Sequence, residues 1–135
     1  MPSEAMGSPD YRLRDEVRAL RRRVLDFVEE QVIPVERQIE EGGPKGETIL
    51  ARLQAEAKAE GLWALGLPRE VGGGGLSFLE YVFINEVIGR SEAAMFALGT
   101  EQTQDALMLY RYGTPSQQER WLQPLVDGRI WPSVA

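Results

Sequence analysis

The chain has 135 residues, enough for one domain with a real core but few enough that a missing neighbour would be felt. Its 43% hydrophobic and 27% charged residues are the mixture of a soluble globular protein, and a net charge of -6 disfavours nucleic acid, whose binding needs Lys and Arg to neutralise phosphates. Having no Cys and no His excludes thiol nucleophiles, disulfides, imidazole bases and the usual zinc ligands together.

Residues 1–9 lack the apolar run of a signal peptide and read as a flexible amino terminus. No later stretch is long and apolar enough to span a bilayer, so the expected location is cytoplasmic, or the mitochondrial matrix if a targeting peptide has been removed. Apolar residues then recur in short steps at Leu13, Val17, Leu20, Val24, Phe27, Val32, Val35 and Ile39, which predicts one long amphipathic helix. Pro34 lacks an amide and crowds the carbonyl of Glu30, so a bend is expected there, with helix resuming through Glu40. Gly42, Gly43 and Pro44 end it. The run Arg18 to Arg23, with four arginines, lies among Asp15, Glu16, Asp26 and Glu29 at helical spacing and reads as paired surface charge.

A second helix is predicted over residues 47–60, with Gly61 placed to terminate it in the left-handed conformation. Residues 62–67 form an apolar hexamer closed by Pro68, read as a buried extended connection. The four glycines that follow, Gly72 to Gly75, invite a phosphate-loop reading. No Lys-Ser or Lys-Thr follows them and no βαβ unit surrounds them, so a structural turn is the stronger reading.

Ser77-Phe78-Leu79-Glu80 has the form of a capping box and starts a third helix. Its body is apolar almost all round, which predicts a helix enclosed by others at the centre of the domain. Glu86 on that helix is expected to pair with a neighbouring element, since buried charges are usually paired. A fourth helix is predicted over residues 92–110. Thr114-Pro115-Ser116-Gln117 opens a fifth, with threonine as cap, proline at the first helical position and glutamine completing the box. Trp121, Leu122, Leu125 and Val126 are expected to bury its inner face, and Gly128 to end it. Trp63 and Trp121 read as core, while Trp131 is open between core and a flat ligand. The fold class is therefore all-α: about five helices in residues 10–129, orthogonally packed or up-and-down, with residues 130–135 resembling the start of a β-strand that is cut short.

The order of these parts resembles the amino-terminal domain of acyl-CoA dehydrogenases. The resemblance is carried by Val32-Ile33-Pro34-Val35-Glu36, by Glu60-Gly61-Leu62-Trp63-Ala64-Leu65-Gly66-Leu67-Pro68 with its glycine run, and by Asn85-Glu86-Val87-Ile88-Gly89-Arg90-Ser91. Gly113-Thr114-Pro115 through Trp121-Leu122-Gln123-Pro124-Leu125-Val126-Asp127-Gly128 completes it. The family implies an FAD-dependent α,β-dehydrogenation of an acyl-CoA thioester, with the catalytic glutamate beyond this chain. It implies that Met95, Phe96, Ala97, Thr100, Glu101 and Gln104 line the acyl-chain tunnel, and that Ser133, Val134 and Ala135 approach a flavin-binding segment. Where relatives often carry Ala-Pro-Asp-Thr-Gly-Asn this chain reads Thr100-Glu101-Gln102-Thr103-Gln104-Asp105, and a charged Glu101 suits a polar or shortened acyl group.

The implied partners are the acyl-CoA substrate, the remaining enzyme domains, an electron-transfer acceptor and further copies of the chain, which would meet through exposed sides of the third and fourth helices. Catalysis by these residues alone is not expected, and no metal site is predicted. The competing expectation is a free-standing helical binding or assembly module that keeps the fold without the chemistry.

Overall fold

The first predicted helix runs through Pro34 by changing its hydrogen-bond register. In the computed structural model, which describes residues 13–133, α1 spans Asp15–Phe27 and continues as a π turn at Val28–Val32 and a 3-10 turn at Ile33–Val35; α2 follows at Glu36–Glu40. Widening the turn before a proline and tightening the next relieves the clash between its ring and the carbonyl four residues back. Val17, Val24, Phe27, Val28 and Val32 face inward along this stretch, and Asp15 and Glu16 place negative charge on the first turn of α1, where the helix dipole favours it.

The arginine run is paired within its helix and across it. Arg18 bridges to Asp15, Arg22 to Asp26 at 3.0 Å and Arg21 to Glu86 at 3.4 Å. Arg21 also donates to the Phe83 carbonyl at 3.1 Å, which fastens α1 to α4 (Phe78–Ile88).

α3 spans Gly43–Ala59 and starts before the predicted position, because Pro44 sits in its first turn, where a missing amide costs nothing. Gly46 is required by the packing of α2 on α3: a Cβ there would lie 2.7 Å from the Gln38 carbonyl oxygen. The helix ends as the sequence indicates. Gly61 adopts φ +71° while Leu62 N–H reaches the Ala57 carbonyl at 2.8 Å and Gly61 N–H reaches Lys58 at 3.2 Å, the paired bonds of a Schellman motif.

Residues 62–67 are buried but folded into turns, which corrects the extended reading. Ala64 takes φ +50°, its N–H donates to the Leu98 carbonyl at 2.9 Å and its own carbonyl accepts from Leu67 at 3.0 Å. The glycine run lies against this segment, backbone on backbone: a Cβ on Gly73 would sit 2.2 Å from the Leu67 oxygen. The amides of Gly72, Gly73, Gly74 and Gly75 all donate to main-chain carbonyls, so this is a structural turn whose donors are spent internally.

α4 has the predicted start. Ser77 Oγ accepts from Glu80 N–H at 3.3 Å, and the Glu80 carboxylate accepts from Ser77 N–H at 3.0 Å. Its environment differs from the enclosed one expected. Ile84, Val87 and Ile88 are buried against the domain, but Phe78 is 82% exposed, Leu79 58% and Val82 43%. Among the described residues one side of this apolar helix is covered and the other is not. Glu86 does pair with Arg21, but its side chain is 62% exposed rather than buried.

The fourth predicted helix is two: α5 at Glu92–Ala97 and α6 at Thr103–Tyr112, separated by residues 98–102 with Gly99 at φ +65°. The fifth opens with the predicted capping box and runs as α7 (Pro115–Gln117), a π turn at Gln118–Leu122 and α8 (Gln123–Val126). The widened turn beside Pro124 shifts the helix phase. Trp121 is consequently 42% exposed, with the Arg120 guanidinium 4.5 Å from its ring centroid, while Leu122, Leu125 and Val126 are buried. Trp63 is core as expected, and Trp131 is partly exposed with its ring edge-on to Phe96 at 5.2 Å.

α1 packs on α4, α3 on α5, and α6 on α8 and the π turn before it, around a single apolar cluster. Among the described residues there is no strand; residues 131–133 follow α8 without regular structure. The expectations for residues 1–9 and for Val134 and Ala135 lie outside the described residues.

Candidate functional site

The break between α5 and α6, the turn at residues 62–67 and the start of α4 converge on a groove of about 750 Å³. Its recessed part is formed by Gly66, Tyr81, Thr100 and Thr103, the two threonines each only 7% exposed. Arg69, Glu70, Phe78, Glu101, Gln104, Leu107 and Arg111 form the more open sides. Volume and mixed lining match a site for a small molecule or a segment of one.

The break positions the threonines. Thr100 N–H and Oγ1 both donate to the Met95 carbonyl, at 2.9 and 3.3 Å, which folds the chain back over the end of α5 before α6 begins. Tyr81, on the first turns of α4, places its hydroxyl 3.3 Å from Thr103 Oγ1 and 3.5 Å from Asn85 Oδ1. Burial pushes the Tyr81 phenol above its usual range, and hydrogen bonds from the two threonines partly oppose this. The groove's recess is thus neutral and polar at neutral pH.

Charge is confined to the open sides and is balanced there. The Tyr110 hydroxyl donates to Glu70 Oε1 at 2.5 Å, tying the 3-10 turn Arg69–Val71 to α6. That bond holds the Glu70 carboxyl below the ordinary carboxylate range and raises the Tyr110 phenol. Arg69 and Arg111 set against Glu70 and Glu101 favour a polar but not polyanionic occupant. The side chains of the recess, Tyr81, Thr100 and Thr103, can donate and accept hydrogen bonds at neutral pH.

Of the residues predicted for the acyl tunnel, Thr100, Glu101 and Gln104 line the groove. Met95, Phe96 and Ala97 do not. Ala97 is fully buried, Met95 serves through its carbonyl, and Phe96 turns its ring to Trp131 and accepts from Gln54 Nε2 at 3.2 Å through its main-chain oxygen. α5 ends at Ala97, so Met95, Phe96 and Ala97 stay on that short helix while Thr100, Glu101 and Gln104 belong to the break and the start of α6. Sequence reasoning missed Gly66, Tyr81, Thr103 and Leu107. The available signal was Tyr81 itself, a hydroxyl on a largely apolar helix that needs a partner when buried.

Ser133 is exposed and borders neither this groove nor the smaller one of about 520 Å³ beside the glycine run. In the smaller groove Arg14 is paired with Glu80 at 2.8 Å, and Lys58 donates to the Asp127 carbonyl at 2.8 Å while lying 4.4 Å from the Trp63 ring centroid. Among the described residues no cluster of three or more acids could hold a metal ion, and no helix is long and apolar enough to cross a membrane.

Residues 14–129 match the family model described as acyl-CoA dehydrogenase, N-terminal domain. Acyl-CoA dehydrogenase family member 10 of Mus musculus is 36% identical over 126 residues, covering 84% of this chain and 12% of that protein. The Mycobacterium tuberculosis protein named probable acyl-CoA dehydrogenase FadE2 is 37% identical over 120 residues, covering 82% of this chain and 29% of its own length. A solved Mycobacterium abscessus structure assigned to the acyl-CoA dehydrogenases superposes with a TM-score of 0.75 at 34% identity, over 87% of this chain and 33% of that one. The chain thus spans between about an eighth and a third of the length of these relatives.

Proposed function

The chain belongs to the acyl-CoA dehydrogenase family, where it matches the amino-terminal domain, and on that premise we propose that it walls the acyl site of an enzyme that oxidises acyl-CoA thioesters. The observation that carries this reading is the groove where α5 breaks from α6, with Thr100, Glu101 and Gln104 on its lining. Its neutral polar recess and apolar Phe78 and Leu107 suit an acyl segment, and Glu101 on the open side favours a polar or shortened acyl group over a long alkyl tail.

FAD would accept the electrons in the complete enzyme. It would be held mainly by the enzyme's other domains, with Ser133, Val134 and Ala135 leading into the segment that meets it. An electron-transfer acceptor would then reoxidise the flavin. The exposed apolar side of α4 is the surface we assign to the enzyme's other domains, or to a second copy when those are absent.

Two measurements test the reading. The isolated chain, given FAD, an acyl-CoA and an electron acceptor, should show no turnover; substantial turnover would overturn the non-catalytic role. In the complete enzyme, Leu107→Trp should fill the groove and raise KM for acyl-CoA at least tenfold. An unchanged KM in a properly folded variant would remove the groove from the substrate path.

A further inference from the structure

We propose that Tyr81 is the stop that sets how far an acyl group penetrates the groove, making it a specificity-determining residue that acts through the bulk of its ring. This rests on the groove being the acyl site. The carrying observation is the contact between Tyr81 and Gly66. A Cβ on Gly66 would meet Tyr81 Cγ, Cδ2 and Cε2 all at 2.9 Å, so the ring lies flat over the glycine α-carbon. Gly66 does not have a positive φ, so its backbone conformation makes no demand for glycine; close approach of the ring does.

That contact fixes the ring's depth, and the hydroxyl's bond to Thr103 Oγ1 at 3.3 Å fixes its direction. One turn further along the same side of α4 come Ile84 and then Ile88, both fully buried. The ring therefore stands between the groove and the Gly66 backbone. Its removal deepens the groove towards Gly66, whereas lifting it shortens the groove. Gly66→Ala does the lifting: carbon atoms pack at about 3.5–4.0 Å, so contacts of 2.9 Å must open by roughly 0.6–1.1 Å, and the ring yields towards open space.

The test is kcat/KM of the complete enzyme on a ladder of straight-chain acyl-CoAs, read as the ratio of longer to shorter substrates. Tyr81→Ala should raise that ratio about tenfold and Gly66→Ala should lower it, since each methylene gained or lost in an apolar pocket is worth about tenfold or more. Tyr81→Phe should keep the wild-type ratio whatever it does to absolute rates, because the ring remains. A purely structural role would depress every substrate alike. A flat ratio in Tyr81→Ala overturns the proposal, as does a Phe variant that shifts the ratio as strongly as Ala. If Tyr81→Ala does not fold, the sign of the Gly66→Ala change decides. Leu107→Trp separates the two levels: with its KM raised and the Tyr81→Ala ratio flat, only the stop fails, whereas with its KM unchanged the acyl-site reading fails too.

Discussion

Replacing Gly99 by alanine tests whether the break between α5 and α6 is built around Trp63. Gly99 has φ +65°, and a methyl on its α-carbon would lie 2.6 Å from Trp63 Cε2 and 2.7 Å from Cδ2 and Cζ2. The left-handed conformation costs an L-residue about 1–2 kcal/mol. Forcing a methyl into a filled core adds about 1–3 kcal/mol. Trp63 has little room to retreat: it is 7% exposed, its Nε1 donates to the Val126 carbonyl at 2.9 Å, and a Cβ on Gly128 would already lie 2.9 Å from the same ring. Gly99→Ala should therefore cost about 2–5 kcal/mol, a large share of the roughly 5–15 kcal/mol that holds a domain folded. Urea denaturation followed by circular dichroism, in wild-type and Trp63→Leu backgrounds, separates the two parts. Without the indole the overlap disappears and only the backbone term of about 1–2 kcal/mol remains, so the double-mutant cycle should show coupling of about 1–3 kcal/mol. A Gly99→Ala chain within about 1 kcal/mol of wild type, with no coupling to position 63, would refute the reasoning.

Ser77→Ala removes the cap of α4 and should cost about 1 kcal/mol by chemical denaturation. The Arg14 side chain, and then the Ser77 amide, hold the Glu80 carboxyl below its usual value, so its contribution is full above the unfolded glutamate value of about 4.3 and drains away as pH falls through the lower folded one. Glu80→Ala should accordingly flatten the acid limb of melting temperature against pH, and an unchanged limb would count against the pairing. Gln118 Nε2 reaches the carbonyls of Leu109, Tyr110 and Gly113 at 3.1, 3.0 and 3.3 Å, closing the end of α6. Gln118→Leu strands those acceptors and should lower stability by about 1–2 kcal/mol. The isolated chain should self-associate at high concentration through Phe78, Leu79 and Val82, and Phe78→Glu with Val82→Glu should return the sedimentation mass to one chain. A wild-type mass of one chain at every concentration would contradict that.

Local chemistry made much of this fold legible in the sequence. The capping boxes at Ser77 and Thr114, the first-turn proline at Pro115 and the left-handed glycine at Gly61 depend on neighbours a few residues away, and all four act as their residue types dictate. The recurrence of apolar residues through Val32 likewise located the inward face of the first helix, because helical period and burial coincide there. The glycine run was legible as a turn because the residues a phosphate loop needs are missing. By themselves these signals determined the helical class and most helix boundaries.

Tertiary structure alone decided the rest, since the deciding contacts join residues distant in the chain. Nothing near Gly99 announces that an indole from position 63 must lie beside it, so the glycine alone did not show that the predicted fourth helix breaks there. With that break went the placement of Met95, Phe96 and Ala97, and from it came the groove. Exposure of α4 was equally illegible: composition records that a face is apolar, but not whether a neighbour within the domain covers it. Trp121 turned outward because a π turn beside Pro124 changed the helix phase, and a count of residues at regular helical spacing cannot register an inserted one.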